Sequence, residues 1–216
     1  MSSDTEGVFI VFEGLDGCGK DTLKDKYITY LQEQGYKVKE VSNIDHGPLN
    51  HFIRDMVTEG SMHYITNLHL AMTILSNMVI NYHTTISKYI QQGYIVIASR
   101  WDMSSLAYGG MDDDKHYQVI RDYLQYLDIT ADAYIFVDAE PEVALSRITN
   151  RNTDSGHYDK LTGLKKIKTM YEKVIVDDLY VPDTTVLRID ANGTIDEVYD
   201  NLQSYELNNI IKNKRV

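Results

Sequence analysis

The composition is that of an acidic globular chain. Its 216 residues carry a formal net charge of −11, and 43% of them are hydrophobic. A chain of this length can bury a full α/β core, and no linker, repeat or low-complexity tract divides it, so we expect a single domain over residues 1–216. The negative charge argues against a nucleic-acid partner, because such proteins collect lysine and arginine on one face to neutralise phosphates.

Cysteine content and hydropathy indicate the compartment. Cys18 is the single cysteine, which excludes an internal disulfide and fits a reducing environment. No apolar run approaches the roughly 18 residues that a membrane helix needs, and the N-terminus is polar and acidic. The sequence therefore predicts a cytoplasmic protein without a membrane partner.

The first predicted elements are a strand and a glycine-rich turn. Residues 8–12 form an unbroken apolar run, which is typical of a buried parallel strand. The spacing Gly14-x-x-x-x-Gly19-Lys20 follows, and it predicts a loop whose backbone N–H groups surround a phosphate, at the N-terminus of a helix. We expect Lys20 to reach the terminal phosphates of a nucleotide. The predicted ATP-binding residues are Gly14, Gly17, Cys18, Gly19, Lys20, Asp21 and Thr22.

One position departs from this pattern. Asp21 stands where serine or threonine usually follows the lysine and ligates magnesium, with Thr22 behind it. A carboxylate about 4 Å from a phosphate charge is repelled by about 4 kcal/mol at an effective dielectric constant near 20. Two alternatives follow: Asp21 turns outward as an acidic first-turn residue favoured by the helix dipole, or it ligates the Mg²⁺ that accompanies ATP.

Helical and extended patterns alternate along the rest of the chain. Helices are predicted over residues 22–34, 49–59, 65–92, 115–127, 141–147 and 161–178, with a last one from residue 194. Further strands are predicted over residues 37–41, 94–98, 133–137 and 185–189. The alternation predicts an α/β fold of the P-loop NTPase type, with a five-stranded parallel sheet flanked by helices. Ligands bind such sheets at the carboxyl ends of the strands.

Residues 99–110, SRWDMSSLAYGG, carry a second motif directly after the third predicted strand. Together with FEGLDGCGKDT they resemble the thymidylate kinase family, which typically shows aspartate, arginine and an aromatic residue, then two small hydroxyl residues, alanine and tyrosine. The positions that match at the same spacing are Arg100, Trp101, Ser104, Ser105, Ala107 and Tyr108. Residues 135–151 resemble the family's fourth strand and the approach to its lid, which implies a short lid near residues 148–160.

The resemblance implies an activity and partners. It implies ATP-dependent phosphorylation of a nucleoside monophosphate, with dTMP as the leading acceptor, with Mg²⁺ bound alongside ATP, and with a homodimer formed through helices. Three alternatives stay open: a kinase of another (deoxy)nucleoside monophosphate, a deoxynucleoside kinase, and a nucleotide-binding module that has lost its activity.

The resemblance also implies roles at the acceptor site. Arg100 would hold the acceptor phosphate with its guanidinium fork, and Arg54 would assist it, although either could be an ordinary surface arginine. Asp16 would contact the acceptor's 3′-hydroxyl or the magnesium shell, or else stabilise its own turn. Tyr108 would pack against the sugar, or belong to the core. The predicted substrate-binding residues are Asp16, Arg54, Arg100, Ser104, Ser105, Tyr108, Ile74 and Met78.

Two arginines of the expected lid complete the predicted catalytic set of Lys20, Arg100, Arg147 and Arg151. Arg147 and Arg151 are four residues apart, so on a helix they would lie on one face and point toward the transferred phosphoryl group. The alternative is a helix end that carries basic residues because the helix dipole favours them there.

Several positions depart from the family pattern. Ser99 stands where the family has aspartate, so we expect Asp21 or Glu13 to replace that carboxylate, and Asp21 and Asp16 are the predicted magnesium residues. Ile74 and Met78 stand where the family has a phenylalanine and an arginine that contact thymine. They can pack on a base but cannot hydrogen-bond to it. Further candidates for contact with the base lie on the same helix, or are ordinary helix residues: Asn77, Asn81 and His83.

Overall fold

Five strands form a parallel sheet in the computed structural model, which describes residues 6–42, 47–58, 65–150, 160–177, 185–204 and 210–211. The strands are β1 (Val8–Glu13), β2 (Val38–Ser42), β3 (Ile95–Ser99), β4 (Ala133–Asp138) and β5 (Thr185–Asp190). Their order across the sheet is β2-β3-β1-β4-β5, with every neighbouring pair parallel. The prediction of an α/β fold with a five-stranded parallel sheet is confirmed.

Helices connect these strands. They are α1 (Lys20–Glu33), α2 (Asn50–Thr58), α3 (Asn67–Asn81), α4 (Ser87–Gln91), α5 (Asp102–Gly109), α6 (Asp114–Leu127), α7 (Pro141–Asn150), α8 (Leu161–Ile175) and α9 (Ile195–Ser204). The predicted helix 65–92 is α3 and α4 joined by a π-helical turn over Tyr82–Ile86. Among the helices described here, none is both long enough and apolar enough to cross a bilayer.

Helix α5 is the element that the sequence did not predict. The helix has eight residues, and its N-cap is Trp101. The side chain of Trp101 makes no capping hydrogen bond. The carboxylate of Glu13, 88 residues earlier, accepts the N–H of Trp101 instead. A cap from so distant a residue leaves no local sequence signal, so the sequence pattern of residues 102–109 does not indicate a helix.

The centre of the sheet is fully buried. All six residues of β1 are buried, as are the first four of β3. Helices cover both faces, so these strands carry apolar side chains on both sides. Phe12 of β1 is in register with Ser99 of β3, which brings Glu13 and Arg100, the residues that follow, to one edge of the sheet. The two sequence motifs therefore meet at the carboxyl ends of adjacent strands.

Candidate active site

The phosphate-binding loop runs from the end of β1 to the start of α1. Gly17 and Gly19 have φ values of 78° and 94°, in the left-handed region that favours glycine. A Cβ atom on Gly17 would also lie 2.3 Å from the carbonyl oxygen of Ala144 on α7. Glycine is thus required at this position by the backbone and by the close approach of α7.

The N-terminus of α1 presents backbone N–H groups and a lysine. The first-turn N–H groups of a helix have no acceptor within the helix. Gly19, the N-cap of α1, has no side chain that could accept a hydrogen bond from them. Lys20 is only 6% exposed, and its Nζ lies 3.3 Å from Oδ2 of Asp21. The combination of N–H groups, helix dipole and ammonium group suits an anion such as a phosphate.

Asp21 of α1 lies against Ser99 of β3. The Ser99 hydroxyl donates a hydrogen bond of 2.7 Å to Oδ1 of Asp21. Partial burial raises the pKa of this carboxyl, but Lys20 and the Ser99 hydroxyl outweigh it, and the pKa is lowered overall. The side chain is 58% exposed. An ionised carboxylate and a hydroxyl therefore lie side by side at the mouth of the loop.

Glu13 is fully buried and fully engaged. Its Oε1 accepts the backbone N–H groups of Trp101, at 2.7 Å, and Ser104, at 3.2 Å. Its Oε2 accepts the hydroxyls of Tyr171, at 2.9 Å, and Ser104. With four protein donors on one carboxylate, Glu13 is a cap for α5, and the expectation that it replaces the carboxylate missing at Ser99 is not supported. The sequence offers one sign of this role: Glu13 ends an apolar strand, and a carboxylate buried there requires hydrogen-bond donors around it.

Arg100 adopts an unusual backbone conformation directly after β3. Its φ is 62°, which is uncommon for a residue other than glycine. Its N–H donates to the carbonyl of Phe12 at 2.9 Å, which holds this conformation against β1. The side chain is 17% exposed, and its guanidinium lies 4.8 Å from the centre of the Tyr108 ring.

The Arg100 guanidinium is held by hydrogen bonds from three elements. Nη2 donates to Oδ1 of Asp16 in the phosphate loop at 2.7 Å. Nη1 donates to the hydroxyls of Ser104 on α5, at 3.2 Å, and Tyr171 on α8, at 3.1 Å. These partners fix the orientation of the guanidinium. Tyr171, which the sequence did not single out, thereby joins α8 to the site.

Asp16 links the phosphate loop to α5. Besides the Arg100 contact, its Oδ2 accepts the hydroxyl of Tyr108 at 2.9 Å. Burial raises the pKa of Asp16, but Arg100, Lys20 and Tyr108 reverse this effect and lower the pKa to about 2. Asp16 is therefore ionised at neutral pH, and it bonds side chains across the site instead of stabilising its own turn.

Arg147 of α7 is positioned differently from the prediction. Its guanidinium donates to the carbonyl oxygens of Cys18, at 2.9 Å, and Gly193, at 2.8 Å. It thus ties α7 to the phosphate loop and to the segment before α9. A pocket of about 270 Å³ lies here, and its lining includes Cys18, Gly19, Thr22, Arg147 and residues 193–195 and 198. Arg151 and residues 151–159 of the expected lid lie outside the described residues.

Two of the predicted substrate contacts face the interior. Met78 has no exposed surface and belongs to the core, so the predicted contact of Met78 with a base is not supported. Ser105 is buried, and its hydroxyl donates to the Trp101 carbonyl within α5 at 3.3 Å. Ile74 is half-buried on α3, and Arg54 is exposed on α2.

The polar candidates on α3 and the following turn are mostly engaged or hidden. The buried amide of Asn77 accepts the Leu49 N–H at 3.0 Å, so it holds the segment before α2. Asn81 is buried, and its amide has no partner among the described residues. His83 is exposed. Burial raises the pKa of the Cys18 thiol, which fits a small packing residue better than a reactive one.

The comparisons with known proteins agree with this geometry. The family model of thymidylate kinase matches residues 12–202. A probable thymidylate kinase of Staphylothermus marinus is 27% identical over 209 residues, which cover 97% of this chain and 99% of that relative. A thymidylate kinase of Caldicellulosiruptor saccharolyticus is 26% identical over 208 residues, or 92% and 95% of the two chains. A probable thymidylate kinase of Caldivirga maquilingensis is 30% identical over 144 residues, or 67% and 69%. The chain belongs to the thymidylate kinase family.

Proposed function

We propose that the protein transfers the γ-phosphoryl group of ATP to dTMP, producing dTDP and ADP. Family membership supports this activity. The observation that carries the proposal is the 2.7 Å contact between Asp16 of the phosphate loop and Arg100 at the end of β3. A donor loop and a second phosphate-binding group are thus adjacent, as transfer between two phosphates requires.

The donor half is the phosphate loop with its adjoining pocket. The phosphates of ATP would bind the N–H groups at the start of α1, with Lys20 at the terminal ones. The pocket of about 270 Å³ beside Gly19 and Thr22 is the proposed place for the nucleoside. Arg147 shapes this pocket through its bonds to Cys18 and Gly193.

Magnesium is the proposed ion of the donor half. Bound with ATP, Mg²⁺ neutralises the charge that develops on the phosphates. Mg²⁺ in nucleotide sites is usually held by one or two protein carboxylates together with phosphate oxygens and water. Both oxygens of Asp16 already accept hydrogen bonds, from Arg100 and Tyr108, so Asp21 is the better of the two predicted ligands.

The acceptor half is the group of Asp16, Arg100, Ser104 and Tyr108. A guanidinium matches two oxygens of a phosphate, so Arg100 is the proposed ligand of the acceptor's phosphate. Asp16 is ionised at neutral pH, and each of its oxygens keeps a lone pair besides the one used by Arg100 or Tyr108, so it can accept a further hydrogen bond from a sugar hydroxyl. Tyr108, packed on Arg100, is the proposed wall beside the sugar.

Phosphoryl transfer in this site needs positioning and neutralisation of charge. Lys20 and Arg100 are the proposed catalytic cations of the described part, and Arg151 remains the proposed lid arginine. Arg54 and Ile74 remain proposed acceptor contacts. From the family resemblance we further propose a homodimer, and from the single cysteine, which fits a reducing compartment, a cytoplasmic location.

A panel of acceptors tests the choice of substrate. Initial rates would be measured with ATP and Mg²⁺ for dTMP, the other deoxynucleoside monophosphates, ribothymidine monophosphate and thymidine. We expect the highest kcat/KM for dTMP and the lowest for thymidine, which lacks the phosphate that Arg100 would bind. A preference for thymidine over dTMP would indicate a nucleoside kinase, and a preference for another base would show that dTMP is the wrong acceptor.

A further inference from the structure

The contact between Asp21 and Ser99 joins two positions that usually hold magnesium in proteins with a phosphate loop. In P-loop NTPases a serine or threonine directly after the loop lysine and an aspartate from a sheet strand hold magnesium. Here Asp21 follows Lys20, and Ser99 ends β3, the strand paired with β1. One carboxylate and one hydroxyl are both present, but each stands at the other's usual position.

The geometry keeps the two groups together despite the exchange. The Ser99 Oγ lies 2.7 Å from Oδ1 of Asp21, so strand and helix present their oxygens at one point. Oδ2 of Asp21 faces Lys20 at 3.3 Å, a long contact that a bound phosphate can replace. The 58% exposure of the Asp21 side chain leaves the carboxylate accessible from the mouth of the loop.

The other nearby carboxylates of the described chain are committed elsewhere. Glu13 is fully buried and accepts four hydrogen bonds from protein donors. Asp16 has Arg100 on one oxygen and Tyr108 on the other. Asp21 is thus the carboxylate beside Lys20 whose contacts are the hydroxyl of the half-buried Ser99 and the lysine itself.

We propose that Asp21 and Ser99 together hold the magnesium ion that accompanies ATP, with the carboxylate supplied by the helix and the hydroxyl by the strand. Oxygen ligands of this kind are those that Mg²⁺ prefers, alongside phosphate oxygens and water. The exchange conserves the charge and the chemistry of the pair. This inference rests on the ATP-dependent function proposed above.

A carboxylate at position 21 should affect the affinity for ATP in opposite directions with and without Mg²⁺. A carboxylate at the first turn of α1 repels bare phosphates, because it lies next to the group that binds them. With magnesium between them, the same carboxylate attracts. Asp21 should therefore weaken the binding of metal-free ATP and strengthen the binding of the magnesium complex. An acidic residue that only stabilises the helix would change both affinities in the same direction.

Titration calorimetry with ATP, in the presence of Mg²⁺ and in the presence of EDTA, measures how Asp21 changes each of the two affinities. For Asp21→Asn we expect the ratio of the two affinities to fall at least about 10-fold, since loss of even an outer-shell partner of a metal ligand costs about 10- to 100-fold in metal affinity. The affinity for metal-free ATP should not fall. Asp25→Asn, one turn later on the same helix and exposed, is the matched control and should keep the wild-type ratio. An unchanged ratio in Asp21→Asn, or two affinities that fall together, would overturn the proposal.

Exchange of the two residues tests the pairing. Mn²⁺ binding to the ATP complex, followed by electron paramagnetic resonance, should weaken in Asp21→Ser and return toward the wild-type value in Asp21→Ser/Ser99→Asp. A double variant that binds Mn²⁺ no better than Asp21→Ser would contradict the paired role. If the double variant does not fold, Ser99→Ala decides instead, since unchanged Mn²⁺ affinity would show that Ser99 is not a ligand. Both measurements omit the acceptor, so a wild type that fails to phosphorylate dTMP contradicts the proposed function separately.

Discussion

Individual residues of the site are held by partners that are far apart in the sequence. Arg100 is the clearest case, because its guanidinium contacts Asp16, Ser104 and Tyr171, which come from the phosphate loop, α5 and α8. Its left-handed backbone conformation costs roughly 1–2 kcal/mol for such a residue. Such strain persists where the surroundings fix it, and it is concentrated at functional sites. The backbone and the side-chain partners of Arg100 therefore fix its guanidinium in one orientation.

Asp16 should make stability depend on pH in a defined range. Its folded-state pKa of about 2 is below its ordinary value of 3.8, so the ionised form stabilises the fold above about pH 4. That contribution is lost as the pH falls toward 2. For Asp16→Asn we expect a decrease in the free energy of unfolding on the order of 1 kcal/mol at pH 7 and pH 5, modest because the 41% exposed carboxylate is screened by water.

Urea unfolding of wild type and Asp16→Asn at pH 7, 5, 4 and 3 measures this difference. The gap between the two proteins should be constant from pH 7 to pH 5 and should narrow below pH 4. Asp55→Asn, an exposed residue of α2, serves as the control. A gap that stays the same or widens between pH 5 and pH 3 would contradict the assignment of Asp16 as a strongly paired carboxylate.

At the residue scale, the sequence identified the groups but not their partners. Lys20, Asp16, Arg100 and Tyr108 come together as the motifs suggested, because both motifs follow strands that are neighbours in the sheet. Arg147 was expected at the transferred phosphoryl group, and it binds two backbone carbonyls instead. Spacing places a side chain on a helix face, but it does not reveal which carbonyl that face will meet.

Among the elements, α5 depends most on a contact outside itself. Glu13 accepts two N–H groups from its first turn, and it also accepts hydroxyls from Ser104 and Tyr171. The helix carries Ser104 and Tyr108 toward Arg100 and Asp16. A buried carboxylate at the end of β1 thus holds α5, which carries Ser104 and Tyr108 of the proposed acceptor site.

Replacing Glu13 by glutamine should destabilise the protein. The amide keeps the shape of the side chain but turns one acceptor into a donor that faces buried donors. We expect a loss of about 1.5–3 kcal/mol in the free energy of unfolding, the usual value of hydrogen bonds to a charged group. Glu142→Gln in the exposed first turn of α7 is the control, and urea unfolding is the measurement. Equal stability of Glu13→Gln and wild type would show that Glu13 is not the cap that positions α5.

Elements with a local sequence pattern are predicted well, and elements that depend on distant contacts are not. The strands are apolar runs bounded by turns, and all five were found within one or two residues. The long helix over residues 65–92 was also found, although its π-helical turn was not, because hydrophobic periodicity does not show where a helix widens. Helix α5 was missed because its cap is a tertiary contact.

At the scale of the whole molecule, the sheet order explains how one chain brings together the phosphate loop and Arg100, the proposed ligand of the acceptor's phosphate. β1 lies at the centre, with β3 on one side and β4 on the other. The phosphate loop follows β1, Arg100 follows β3, and α7, which supports the loop through Arg147, follows β4. Three adjacent strands thus end in the groups of one site. The net charge of −11 does not conflict with nucleotide binding, because Lys20, Arg100 and Arg147 provide a local group of cations at this edge.

The most direct test of the central claim is transfer of the labelled γ-phosphoryl group of ATP to dTMP in the presence of Mg²⁺. We expect dTDP and ADP in equal amounts from the wild type. Lys20→Ala should remain folded in thermal melts, yet its kcat should fall by about 10²- to 10³-fold, the loss expected when one charge-stabilising donor is removed. Lys88→Ala on α4, an exposed control, should act like the wild type. Release of phosphate to water without dTDP, or normal transfer by Lys20→Ala, would contradict the account.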